Sequence, residues 1–293
     1  MSVKGLRGRS NGILIKMELM KTLKNHLILF DAECPMCRMY TKTFVDTGLL
    51  EAEGRAAYQE VSQERCPMLD RRRAANEIAL LNQETGEVTY GVRSLFKVIA
   101  TGMPVFKPLF EFGPFIWLMT KMYAFVSFNR RVIVPGPLQV AKDQFQPDFR
   151  LSYRIAYLVF TWLATAYILS GYSRLLTGIL PAGDPDREYL ICGGQMVFQG
   201  IIILMIERDK VWMYLGNMMT ISFAGALMLL PPLILSGWLS MAPVFYALWF
   251  MGVAGLMFLE HIRRSRLLLL GWTLSISWVI YRLGVLLLVT EMI

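Results

Sequence analysis

The stretch Leu27-Ile-Leu-Phe-Asp-Ala-Glu-Cys-Pro-Met-Cys-Arg38 decides how the first half of this chain folds. Its apolar start reads as a buried strand over Leu27–Asp31. Its end reads as a helix over Pro35–Thr47 that carries Met39, Tyr40, Phe44 and Val45. Cys34 falls where strand gives way to helix. Its sulfur is therefore expected beside unpaired backbone N–H groups and the positive end of the helix dipole, which stabilise a thiolate. Pro35 suits the first helical turn, where its missing N–H costs nothing. Cys37 follows one turn up, within reach of Cys34 for a disulfide, and the arrangement is that of a dithiol redox site.

Two other readings of the pair stay open. It is half of a zinc site if Cys66 and His26 complete it, although their surroundings lack the paired spacing of a finger or ribbon. It is otherwise an inert structural pair. The flanking charges pull in opposite directions: Asp31 and Glu33 raise a nearby thiol's pKa, while Arg38 and the helix terminus lower it. Asp31 is either a proton acceptor for a thiol or a partner for backbone N–H groups in the loop. The candidate catalytic set is thus Cys34, Cys37 and Asp31, with Glu33, Pro35 and Arg38 as modulators and no metal or other cofactor.

Working outward, composition divides the chain. Its 293 residues are 55% hydrophobic and 18% charged, with mean hydropathy +0.45. Most of the charge lies before residue 150 and long uncharged runs follow, so a globular domain is expected ahead of a membrane domain. The net charge of +8 comes without a basic stripe interleaved with aromatics, which argues against nucleic acid as a partner. Residues 1–25 read as a basic tail, with a short amphipathic helix over 13–24 suited to anionic lipid and no cleaved export signal.

Within the globular part, Ala56–Val61 is a second candidate strand and Glu64–Ala75 a short polar helix. Glu77–Asn82 and Glu87–Tyr90 form a hairpin around Gly86. Val92–Ala100 is a helix with Val92, Leu95, Phe96 and Ile99 on one face. Phe115–Phe128 is apolar, but Lys121 sits at its middle and it falls short of the roughly 20 residues a bilayer needs. It is expected to pack on the domain and touch the membrane surface.

These residues together bring a family into view. Asp31-x-x-Cys34-x-x-Cys37 after an apolar strand resembles the DCC thiol-disulfide oxidoreductase family. So do Ile78-Ala-Leu-Leu-Asn, Gly86-Glu-Val-Thr-Tyr-Gly91, the helix containing Ser94-Leu-Phe, and an aromatic helix closing in Asn129-Arg130. The resemblance covers residues 26–135. It implies a thioredoxin-like α/β domain in which Cys34 attacks and Cys37 resolves, and it brings no substrate. One departure from thioredoxin stands out: residues 71–77, before the third strand, contain no proline to serve as a cis-Pro, so a peptide substrate would have to dock differently.

Residues 136–150 read as a linker, and 151–293 as an all-α bundle of about five transmembrane helices, at about 153–172, 189–206, 211–230, 242–259 and 267–289. Pro231-Pro232 is expected to end or bend the third. Glu207–Lys210 and Glu260–Arg266 read as charged loops, and their Arg and Lys residues share one side. Counting them by the positive-inside rule gives an integral protein of the inner (plasma) membrane, with the cysteine domain cytoplasmic and the C-terminus outside. Cys66 reads as a bystander thiol and Cys192 as a small buried residue. Gln195 and Gln199, one turn apart, and Arg282 form a candidate intramembrane polar cluster. It either lines a pocket or makes interhelical hydrogen bonds with Arg282 snorkelling outward. Glu260 and His261 are expected at a solvated interface.

The function that follows is a membrane-anchored thiol-disulfide oxidoreductase at the cytoplasmic face, acting on a protein or small-molecule disulfide and aided by a membrane protein partner. Its rival is a non-catalytic assembly or redox-sensor subunit whose thioredoxin-like domain binds a partner. Transport ranks last, because the membrane half shows neither repeats nor paired broken helices.

Overall fold

A computed structural model of the chain describes residues 21–62, 64, 66–136, 145, 147–181, 184, 186–239 and 241–291. The chain divides into two compact units between Arg150 and Leu151. The basic tail over residues 1–20 lies outside the described residues.

The first unit is a four-stranded sheet with helices on its faces. The strands are β1 (His26–Phe30), β2 (Arg55–Ala57), β3 (Ala79–Asn82) and β4 (Val88–Tyr90), in spatial order β2-β1-β3-β4. β1 runs parallel to β2, with Leu29 opposite Ala56, and antiparallel to β3, with Ile28 opposite Leu80. The parallel pair needs a crossover, supplied by helix α1 (Pro35–Asp46). β3 and β4 close a hairpin whose turn is held by the Asn82 side chain accepting from Glu84 and Thr85 N–H, with Gly86 at φ 74°.

Strand alternation sends β1 side chains into two cores. Ile28 and Phe30 pack with Cys34, Cys37 and Leu80, against α1 and helix α3 (Val92–Gly102). Leu29 packs oppositely with Tyr58, Cys66, Ala74 and Ala75, against α2 (Arg71–Asn76). Helices α4 (Lys107–Glu111) and α5 (Gly113–Ile133) complete the unit.

Several expectations need correcting here. β2 is shorter than Ala56–Val61, and the polar helix starts only after Asp70, whose carboxylate caps it by accepting from Arg73 N–H. α5 outruns Phe115–Phe128 at both ends. Residues 21–25 are not a tail: Leu23 makes a parallel bridge to Leu50 and Thr22 Oγ1 donates to Gly48 O, so the end of the expected amphipathic helix is extended chain. The described end of the linker is pinned as well. Asn76 brackets Asp148 with two hydrogen bonds, and Arg150 covers the Phe128 ring.

The second unit is helical: α6 (Leu151–Ser173), α7 (Arg187–Ile206), α8 (Val211–Leu235), α9 (Pro243–Leu267) and α10 (Thr273–Glu291). All five are long and apolar enough to cross a membrane, which marks the chain as a membrane protein. Polar side chains join the helices where lipid offers no partner. Tyr172 Oη donates to Tyr246 O, and Tyr157 Oη meets Thr220 Oγ1 at 2.8 Å.

Pro231 and Pro232 do not end the third span. Pro232 lacks the N–H that would engage Met228 O, and the Trp249 indole N–H of α9 donates to that carbonyl at 3.0 Å instead. Glu260–Arg266 is not a loop either. It forms the last two turns of α9, where Glu260 pairs with Arg263 and Arg264 at i+3 and i+4.

Candidate functional site

The site lies where β1 ends and α1 begins. Cys34 has extended backbone (φ −96°, ψ 105°) and caps α1, and its Sγ accepts the Cys37 N–H at 3.3 Å. A sulfur in the capping position does what a capping hydroxyl or carboxylate does elsewhere: it satisfies an N–H the helix cannot. Pro35 occupies the first helical position as its fixed φ favours. Thr41 Oγ1 donates to Cys37 O, stiffening the next turn. Both cysteines are free thiols and both are buried, Cys34 at 2% exposure and Cys37 at 7%.

The two thiols are driven apart in acidity. Cys34 is brought down from 9.0 to about 7, chiefly by the hydrogen bond from the Cys37 thiol; burial opposes this, while Arg130 and the Cys37 N–H assist and Asp31 resists. Cys37 is held well above the ordinary thiol range by the same bond to Cys34 and then by burial. A thiolate at Cys34 beside a thiol at Cys37 is the protonation pattern that a nucleophile and a resolving group need.

Asp31 is committed elsewhere. Its Oδ1 accepts from Glu33 N–H at 3.0 Å and from Gln59 Nε2 at 2.9 Å, and its Oδ2 takes Arg130 Nη2 at 2.7 Å. Arg130 also donates to Ala75 O and Asn76 O at the C-terminal end of α2, where the helix dipole favours a cation. α5 thereby ties β1, α2 and the cysteine loop together. Arg131 adds a 2.8 Å pair to Glu33. After α5, Gly136 lies so close to the loop that a Cβ there would stand 2.9 Å from Glu33 O and 3.5 Å from the Pro35 ring.

Some expected residues converge here and others do not. Cys34, Cys37, Asp31, Glu33 and Pro35 stand together. Arg38 points to solvent, and the cation beside the thiols is Arg130. Spacing likewise does not reveal Gln59, Arg131 or Tyr40, whose hydroxyl is hydrogen-bonded to the Cys37 thiol. Arg130-Arg131 at the end of an apolar helix was the available signal, since a buried arginine requires an acid. Cys66 packs on the opposite sheet face from Cys34. Among the described residues no three His, Cys, Asp or Glu side chains form a metal-binding set.

In the second unit, Gln199 and Arg282 are not joined. Gln199 Oε1 accepts from Tyr214 Oη at 2.8 Å and its Nε2 donates to Ser277. Arg282 lies over the Trp278 ring, and the Gln195 amide finds no partner among the described residues. His261 belongs to this buried network rather than to a solvated interface. It is 1% exposed and lies between Tyr214 Oη and Ser275 Oγ, each 3.0 Å away.

Compared with family models, curated proteins and solved structures, the chain matches none.

Proposed function

We propose that this protein is a membrane-anchored thiol-disulfide oxidoreductase that works through the Cys34–Cys37 pair on a thioredoxin-like domain of the DCC type. The observation that carries the reading is Cys34 Sγ at the helix N-cap, accepting the Cys37 N–H at 3.3 Å. That position stabilises a thiolate one turn from a second thiol. The β-α-β-α-β-β-α order of the first unit supports the domain assignment. Arg208, Lys210, Arg263, Arg264 and Arg266 share the side from which the chain enters α6, which supports a cytoplasmic active site in a plasma membrane.

The Cys34 thiolate attacks one sulfur of a substrate disulfide and expels the other as a thiolate, leaving a mixed disulfide. Cys34 then no longer carries the charge that kept Cys37 protonated. Cys37 loses its proton to the departing thiolate and attacks Cys34 Sγ, freeing the second substrate thiolate. Two electrons and the Cys37 proton pass from the site to the substrate, the second substrate thiolate takes its proton from water, and the site is left as a Cys34–Cys37 disulfide for glutathione or a dithiol donor to reduce. Asp31 fixes Arg130 and the loop; it moves no proton.

The test is glutathione-driven reduction of hydroxyethyl disulfide by the purified full chain. The wild type should turn over, and Cys34→Ser should fall to the uncatalysed rate. Equal rates for the two would reject the enzyme. A second reading, a non-catalytic assembly or redox-sensing subunit, is favoured by one observation: Cys34 is only 2% exposed, which closes its sulfur to a bulky disulfide in this conformation.

A further inference from the structure

The N-terminal half of α5 and the segment before it leave an apolar surface uncovered. Val105, Phe106, Leu109, Phe112, Trp117 and Leu118 are each between 41% and 79% exposed. Met122 and Val126 extend the Leu118 row at four-residue steps along α5, giving a continuous stripe. Scattered exposed apolar residues are ordinary, but a contiguous patch marks an interaction surface. The stacked rings of Phe96, Phe110 and Phe115 support it from beneath.

Charge identifies the partner. Beside the stripe lies a groove of roughly 730 Å³ between α3, α4 and α5. Lys21, Arg93, Lys97 and Lys107 line it together with Phe96 and Phe110, and Glu111 is the only acid among its lining residues. Large apolar and aromatic side chains next to a cluster of cations are what an interfacial, anionic-lipid-binding surface presents. The same chain carries five helices fit to cross a membrane, so a bilayer is always at hand.

We propose that this face of the α/β unit docks on the headgroup layer of an anionic bilayer. The apolar stripe enters the acyl boundary, and the groove cations hold lipid phosphates. α5 joins the docked face to the dithiol site: Trp117 and Arg130 are thirteen residues apart on one helix, about 20 Å at 1.5 Å per residue. The inference needs the chain to be in a membrane and does not depend on its redox chemistry.

The test uses the full chain in lipid nanodiscs, with an environment-sensitive fluorescent amino acid at position 118 or, as a control, at the exposed Thr85 of the β3–β4 turn. With about 30 mol% phosphatidylglycerol, a nitroxide near the lipid headgroup should quench position 118 at least about three-fold more than position 85, and iodide should reach 118 poorly. Lys97→Glu combined with Lys107→Glu should lower the lipid quenching about two-fold or more. Free access of iodide to 118 would overturn the proposal. So would shielding from both quenchers, which would mean that protein covers the patch. Equal lipid quenching in pure phosphatidylcholine would overturn the anionic surface. If the variant at 118 fails to fold, position 122 (53% exposed in the native chain) gives the same comparison.

Discussion

Arg130 Nη2 lies 2.7 Å from Asp31 Oδ2, across 99 positions of sequence, and the two side chains are only 4% and 2% exposed. Two charges removed from water this completely stabilise the fold only as a pair, because each alone carries its full desolvation cost. Arg130→Met should therefore destabilise the first unit by about 3–5 kcal/mol. Asp31→Leu added to Arg130→Met should recover most of that loss, since the isolated carboxylate is then gone as well. Chemical denaturation of the single and double variants measures both effects. Equal losses in the single and double variants would mean the pair is not the unit of stability.

The same arginine lowers the Cys34 pKa, so surviving Arg130→Met protein should alkylate more slowly at neutral pH. The wild-type rate of iodoacetamide reaction at Cys34 should rise with a midpoint near 7 rather than near 9. Stability should follow. Between about 7 and 9 the unfolded chain holds a proton at Cys34 that the folded chain has released, so stability rises with pH across that window. The contribution, on the order of 2 kcal/mol, is complete above 9 and is lost as pH falls through about 7. Denaturation of wild type against Cys34→Ala at pH 6, 7.5 and 9 measures it; a difference constant with pH would remove the thiolate from the account.

Gly136 touches the loop at its backbone, where a side chain has no room. Gly136→Val should push Gly136 away from Glu33 O and the Pro35 ring and loosen the loop that holds Cys34. Its alkylation at fixed pH should then accelerate, by about ten-fold if the local opening is eased by about 1.4 kcal/mol. An unchanged rate would mean that this segment does not control access.

Tyr214 donates to Gln199 and contacts His261 inside the helical unit. Tyr214→Phe removes one of the donors to Gln199 Oε1 and the acceptor facing His261 Nε2, and should cost about 1–2 kcal/mol, the lower part of the range because membrane-buried bonds are weak. Thermal unfolding in detergent reads the loss. Cys34 alkylation should be unaffected, because the thiols belong to the other unit.

The sequence was most legible where one residue type had one physical use. A strand running into Cys34-Pro35 placed β1 and α1 to within a residue or two, because a capping sulfur and a proline at the first helical position both fix the helix start. It was misleading where charge was taken for loop. Glu260, Arg263 and Arg264 are neighbours on one helical face, and their mutual pairing keeps the last turns of α9 wound. Pro231 and Pro232 do not end their helix for a related reason. The carbonyl freed by the lost N–H is satisfied by Trp249 of a neighbouring helix, which local sequence does not reveal. The candidate site was half legible. Cys34 and Cys37 follow from spacing, but Arg130 reaches them only through tertiary packing, so the adjacent Arg38 took its place in the reading.

The most direct measurement is the redox equilibrium of Cys34 and Cys37 in the full chain, by thiol trapping across a glutathione series. One reversible two-electron transition is expected between about −220 and −320 mV, the span of glutathione-buffered potentials, with the disulfide mapped to Cys34–Cys37 and abolished by Cys34→Ser. Thiols that stay alkylatable at every ratio, or a disulfide formed with Cys66 instead, would contradict it.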